Sequence, residues 1–352
     1  MTNARRLPPL DHLIALTDDT GIVQHATYDI PNRSTGYCTD DVARAFMVAI
    51  AAAKFDSRRD AALRLARIYL AFLMDAQLPD GRFHNFMSYQ RDWLDDVGSD
   101  DSIGRAIWSL GYGLRHAPSA EWRRVCGTML EAALPNVARL QFVRSRAYAA
   151  LGLAFARESL EVPLPALDAE LFAIGRDLVR RHVATATPAW DWFEHELTYD
   201  NARLPEALFR IGTVLEEPGF IELGRRTLDF YGEIVVVNGT FLPIGNDGWY
   251  LREGTRAHHA QQPLEAAALV DAGLAAYAAT GDPRYTKLAE LGLAWFYGRN
   301  SGNVVLAVGG GCYDGLEACG VNENMGAEST LAYLASAFSL AENRFETVRI
   351  AR

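Results

Sequence analysis

The chain has 352 residues, 49% of them apolar and 22% charged, enough for a sizeable core and too apolar for a disordered chain. With 34 Lys and Arg against 44 Asp and Glu, the formal net charge of −10 repels nucleic-acid phosphates and anionic lipid, so the expected partner is a small neutral or cationic ligand. Cys38, Cys126, Cys312 and Cys319 lack CxxC or Cys/His ligand spacing, so they read as reduced thiols with no metal or cofactor implied.

Met1 to Arg6 leads into Pro8-Pro9 without an apolar export segment, and no stretch approaches 18 uninterrupted apolar residues, so one cytoplasmic domain with no membrane partner is expected. The sequons Asn32-Arg33-Ser34 and Asn238-Gly239-Thr240 then read as accidents.

In chain order, two kinds of helix alternate. Residues 58–76 carry an amphipathic stripe, with Ala62, Leu65, Ala66, Tyr69, Phe72 and Leu73 on one face. Similar stretches begin near Glu121, Leu167, Phe220 and Arg284, and these read as outer helices. Between them lie helices rich in Gly and Ala and apolar nearly all round, such as 103–113, 147–156 and 331–338, which must be buried on all sides. Their starts recur near Asp41, Asp101, Ser145, Asp200, Glu265 and Glu328, roughly 44 to 65 residues apart, room for an inner helix, an outer helix and loops. The predicted fold is an all-α, double-layered α/α toroid of about six hairpins. The sixth outer partner is either a C-terminal segment or the stretch 10–16. Residues 235–242, centred on Asn238-Gly239, fit either a type I′ hairpin or a helix end. The connections 77–99 and 300–324 are long and rich in aromatics, which predicts ordered loops over a cavity.

Acidic residues gather at the inner-helix starts: Asp40 and Asp41, Asp100 and Asp101, Asp200, Glu265, Glu328. Capping and the helix dipole explain part of this. In a ring, however, inner helices start at one rim, so these carboxylates converge on a cavity mouth and raise one another's pKa, as acid/base chemistry requires. Arg44, Arg105 and Arg203 follow three of the acids at nearly constant offset and are expected to pair with acids of neighbouring repeats, with ligand contact as the alternative. The loop 190–201 sets Trp192, Glu194 and His195 together, aromatic surface for a sugar's CH face beside a carboxyl for proton transfer. Further cavity candidates are Asp247, Trp249, Gln262, Tyr313, Asp314 and Asn324. The glycine run 309–311 lacks the lysine of a phosphate loop, and HExxH and GxSxG do not occur. Asp95-Asp96 with Asp100 is one residue too long for a magnesium-binding DDxxD.

The runs 17–33 and 36–45, with Trp192-Phe193-Glu194, 197–205, Gln261-Gln262-Pro263, 310–315 and 324–331, resemble a group of bacterial and archaeal six-hairpin-glycosidase-like proteins often fused to glycosyltransferases. The resemblance spans nearly the whole chain and implies a toroid and a carbohydrate connection, without an established reaction. Val42 and Met325 depart from the group's pattern, which has Asn and Gln there.

The function expected is cleavage of a glycosidic bond in an oligosaccharide or other small sugar, with its two carboxyl groups drawn from Asp41, Asp101, Glu194, Asp200 and Glu328; Asp101 is the expected base and Glu194 the expected acid. One rival is sugar epimerisation by His84, His195 or His259. The other is a non-catalytic sugar-binding module serving a separate glycosyltransferase.

Overall fold

A computed structural model describes the backbone of residues 7–160 and 164–350 and side chains up to 344. The stretch Met1 to Arg6 lies outside the described residues.

Six inner helices form a closed ring: α2 (Thr39–Ala52), α4 (Asp100–His116), α6 (Val143–Ser159), α8 (Arg203–Val214), α10 (Pro263–Thr280) and α12 (Ala327–Ile350), each packed on the next and α12 on α2. Five outer helices back them: α3 (Arg59–Ala76) on α2, α5 (Ala120–Ala133) on α4, α7 (Pro165–Thr185) on α6, α9 (Pro218–Val235) on α8 and α11 (Arg284–Phe296) on α10. The sixth place falls to the N-terminal stretch, as α1 (Asp11–Leu16) packs on α12. The predicted toroid is therefore observed, with one very short outer helix.

Small residues set the ring's tightness. A Cβ added to Gly111 of α4 would lie 1.9 Å from the carbonyl oxygen of Gly152, and one on Gly152 of α6 would lie 2.3 Å from that of Ile107, so the two backbones are in direct contact. Backbone cannot retreat as a side chain can. Gly111→Ala should therefore destabilise the fold by about 1–3 kcal/mol, read by urea unfolding with the m-value unchanged.

Residues 235–242 resolve to the hairpin: Val236 and Val237 pair with Phe241 and Thr240, with Asn238 and Gly239 at φ 51° and 71°. Each inner helix from α2 to α10 is followed by an outer one that returns the chain, so the six inner helices run parallel and all start at one end. The long connections, including 77–99 and 300–324, gather at that end; the opposite end carries short turns. Both long loops are ordered by antiparallel pairs, Tyr37–Cys38 with Phe86–Met87 in one, and Ala307–Val308 with Gly311–Cys312 and Gly315–Glu317 with Gly320–Asn322 in the other. All four cysteines are free. Among the described residues no helix is long and apolar enough to cross a membrane.

Candidate functional site

At the end where the inner helices start, positive dipole ends and exposed first-turn N–H groups favour anionic side chains. The loop 77–99 fixes the start of α2: Thr39 donates through its hydroxyl to the His84 carbonyl at 2.7 Å, and the backbone N–H of Asp40 reaches Asn85 Oδ1 at 3.4 Å. Asp40 and Asp41 are thereby set in the first turn, one turn before Arg44 on the same helix face.

Arg44 joins three carboxylates. Its Nη2 lies 2.8 Å from Asp40 Oδ1 and 2.7 Å from Asp41 Oδ1, while Nη1 donates to Glu328 Oε2 of α12 at 2.8 Å. Arg105 of α4 continues the chain, with Nε 3.1 Å from Asp40 Oδ1 and Nη2 3.0 Å from Asp200 Oδ2. Arg203 closes it, with Nε 3.3 Å from Asp200 Oδ1 and Nη1 on Glu206 (2.6 Å) and on Asp271 of α10 (2.8 Å). The three arginines thus pair across repeats and form a buried layer over the ring's axis.

A second strand of the network lies on the α4–α6 side of the mouth. Asp101 accepts from the hydroxyl of Ser145 and, at 2.7 Å, from that of Tyr199. The Tyr199 ring lies under the Arg144 guanidinium, 4.8 Å away, and Arg144 Nη1 donates to Glu194 Oε2 at 2.8 Å. Asp101 and Glu194 therefore share one Tyr199–Arg144 platform.

The environments of these acids differ. Burial raises Asp40 against the pull of Arg105 and Arg44, and the negative charges of Glu328 and Asp101 push it further up. Burial, with Asp40 and Glu328 adding to it, pushes Asp41 up to about 7 despite Arg44. Glu328 goes the other way: burial alone would raise it, but Arg44 and Arg105 hold it below the usual carboxylate range. Its side chain is 42% exposed, against 9% for Asp41. One guanidinium thus carries an open carboxylate that stays ionised and a closed carboxyl that keeps its proton to near neutrality.

Several expected site residues serve elsewhere. Trp192 is fully buried against Tyr231, with ring centroids 5.8 Å apart, and offers no face to a sugar. Asp100 accepts from the backbone N–H of Gln141 at 2.7 Å and ties down the loop before α6. Asp200 does not open α8, which begins at Arg203; it sits fully buried at φ 49°. That left-handed backbone is held by buried Glu265, which accepts from the Asp200 backbone N–H, from Asn201 Nδ2 at 3.1 Å and from the Tyr231 hydroxyl at 3.0 Å. Glu265 is therefore a positioning group beneath the mouth, and Arg203, also buried, is engaged by Asp200, Glu206 and Asp271 rather than turned to the mouth. Val42 and Met325, where the chain departs from the group's pattern, are buried as well. Asp95 clamps the backbone N–H groups of Asn85 and Phe86.

Other residues do reach the rim loops. Asn324 donates to Asp314 Oδ2 at 2.9 Å and accepts from the Ala26 backbone at 2.8 Å, tying the loop 300–324 to the N-terminal segment; burial raises Asp314. Tyr313 and Gln262 are half-buried near the starts of α12 and α10. Asp247 and His195 are exposed on their loops, and Trp249 is half-buried, its indole N–H on Asn246 at 2.7 Å. His84 stacks on Trp93 at 4.6 Å with Nδ1 held 2.7 Å from the Asp95 carbonyl, while His259 is exposed. Arg144 stands in no sequence motif, and α6 carries no acid in its first turn to draw attention there; Tyr199 lies within the loop 190–201 but is given no role by the sequence.

Glu265 gives the site a pH signature. Burial, with the nearby Asp200 charge, pushes it up to about 7. Its unfolded value is about 4.3, so between about pH 4 and 7 the folded chain binds a proton that the unfolded chain has lost, and stability falls as pH rises through that window. His116, held neutral by burial down to about 3, gives the opposite slope below about pH 6.5. The informative quantity is therefore the difference between wild type and Glu265→Gln in unfolding free energy, measured from pH 5 to 8. It should move against the wild type as pH rises to 7, by up to about 1.4 kcal/mol per pH unit, and level off above.

No family model and no curated protein sequence matches the chain. Solved structures do match in shape. A cellobiose 2-epimerase of Bacillus thermoamylovorans superposes with a TM-score of 0.71 at 12% identity, covering 94% of this chain and 95% of that one. A D-mannose isomerase gives 0.71 at 10% identity, covering 94% of each chain. A GH76 α-mannanase of Bacteroides thetaiotaomicron gives 0.66 at 9% identity, covering 96% and 95%. At these identities the likeness establishes the six-hairpin glycosidase-like fold.

Proposed function

We propose that the chain is a carbohydrate-active enzyme that cleaves a glycosidic bond, by hydrolysis or phosphorolysis. Glu328 is the carboxylate that activates water or positions phosphate, and Asp41 is the acid that protonates the leaving oxygen. The observation that carries this reading is the opposed pair on Arg44: two carboxyl groups in one site whose environments drive their acidities apart, one open and ionised, one closed and protonated. Asp101 and Glu194, held ready by Tyr199 and Arg144, then accept hydrogen bonds from sugar hydroxyls rather than acting as the base and acid. The sugar-acting names of the fold neighbours support the substrate class. The test is a panel of oligosaccharides, with and without phosphate, read by chromatography of released sugars. Product that disappears in Glu328→Gln supports the reading; saturable binding with no product from any member refutes it and leaves a sugar-binding module, the form in which a separate glycosyltransferase would use it.

A second reading, epimerisation, is favoured by His84, whose Nδ1 is fixed by a backbone carbonyl and whose ring is stacked on Trp93 beside the start of α2. An imidazole so oriented can abstract a proton next to a carbonyl. It predicts loss of activity in His84→Ala and exchange of a ring proton with solvent, neither of which the cleavage reading requires.

A further inference from the structure

Below the arginine layer the ring's axis holds a cavity of ≈ 110 Å³ that none of Asp40, Asp41, Asp101, Glu194 or Glu328 lines. Of its partly exposed lining residues, Arg44 and Asp271 belong to the arginine layer, whereas Met47, Tyr112, Arg210 and Ser339 lie in the C-terminal halves of the inner helices, so away from that layer the cavity opens towards the face opposite the carboxylate mouth. Trp108, Phe155, Leu264 and Leu331 make most of its wall apolar, and the arginines form its polar end. Two buried groups that line it carry N–H donors without an acceptor among the described residues: Arg105 Nη1 and Trp108 Nε1, in side chains 3% and 6% exposed. Both are fixed in place. The Arg105 guanidinium lies 4.1 Å from the Tyr148 ring, and Trp108 is stacked between Tyr148 and the Arg203 guanidinium, 6.1 and 4.6 Å away. Buried donors left without acceptors are rare in folded proteins and call for a partner.

We infer that this cavity is a second binding site, for a small neutral molecule with an apolar body and one hydrogen-bond-accepting oxygen. Size sets the first limit: an apolar cavity of about 150 Å³ holds benzene with room to spare, so this one takes a molecule of no more than about six heavy atoms. Charge sets the second. Arg44, Arg105 and Arg203 are already engaged by Asp40, Asp41, Asp200, Glu328, Glu206 and Asp271, so the layer has carboxyl groups in excess and a further anion would be repelled. A carbonyl or hydroxyl oxygen would satisfy the idle donors without adding charge, while the ligand's hydrocarbon part covers the apolar wall.

The probe is cyclopentanone, followed by the indole N–H resonance of Trp108, which is assigned by its absence in Trp108→Phe. The expected result is a saturable shift, with cyclopentane and cyclopentanecarboxylate both binding at least about tenfold more weakly. Trp108→Phe, which keeps an aromatic ring and loses the donor, should weaken binding about fivefold by a readout of the ligand's own resonances. Ala335→Phe, at the half-exposed mouth, should abolish it with the melting temperature unchanged. The absence of a saturable shift, tighter binding of the carboxylate, or wild-type affinity in Ala335→Phe would each overturn the assignment. None of these readouts requires turnover, so the result stands apart from the reaction proposed at the opposite face.

Discussion

Glu328→Gln lowers turnover by about 10²- to 10⁴-fold while the protein stays folded. Glutamine keeps the shape of the side chain and removes the charge that would activate water. Arg44 retains Asp40 and Asp41 as partners, and the Glu328 side chain is 42% exposed, so little stability depends on it. Asp41→Asn gives a loss of the same order with a different signature. Because Asp41 is pushed up to about 7, its acid form is lost as pH rises through that value, and wild-type activity should fall on the alkaline side. In Asp41→Asn that limb disappears and the residual activity no longer follows it. The check is a pH profile of kcat/KM for wild type and both variants, with circular dichroism to confirm folding.

The largest effect on stability belongs to Arg105. Arg105→Met leaves Asp40 and fully buried Asp200 without the cation that bridges them, and removing one partner from a buried ion pair costs about 3–5 kcal/mol. Denaturant unfolding measures this directly. Adding Asp200→Asn to Arg105→Met should recover part of the loss, because it removes one stranded charge. Arg225→Met, by contrast, breaks only surface pairs, with Glu222 and Asp229, and should change stability by no more than about 1 kcal/mol.

The fold was legible because its two helix classes differ in composition. A helix apolar on every side, such as α6, has no place except between neighbours, and the glycines at 104, 111 and 152 announce backbones in contact. The sixth outer helix was ambiguous because α1 spans only Asp11–Leu16, too short to show a period. At the site, the sequence placed carboxylates at the helix starts, and the arginine offset foretold pairing between repeats. It could not tell the open acids from the structural ones. That depends on local backbone: Asp100 turns to the Gln141 amide, and Asp200 leaves the helix altogether for a left-handed turn fixed by Glu265. Trp192 looked like a sugar platform because aromatic residues beside acids suit one, yet its loop folds inward onto Tyr231. The contact that links Asp101 to Glu194, Arg144 over the Tyr199 ring, joins residues 55 positions apart and leaves no local pattern.

The measurement that bears most directly on the central claim is an NMR time course of a cleaved oligosaccharide from the panel in deuterated water, with wild type and Glu328→Gln. The account predicts new reducing-end signals with wild type, no deuterium on ring carbons, and neither change with the variant. Deuterium entering a ring carbon while the glycosidic bond stays intact would contradict it and establish epimerisation instead.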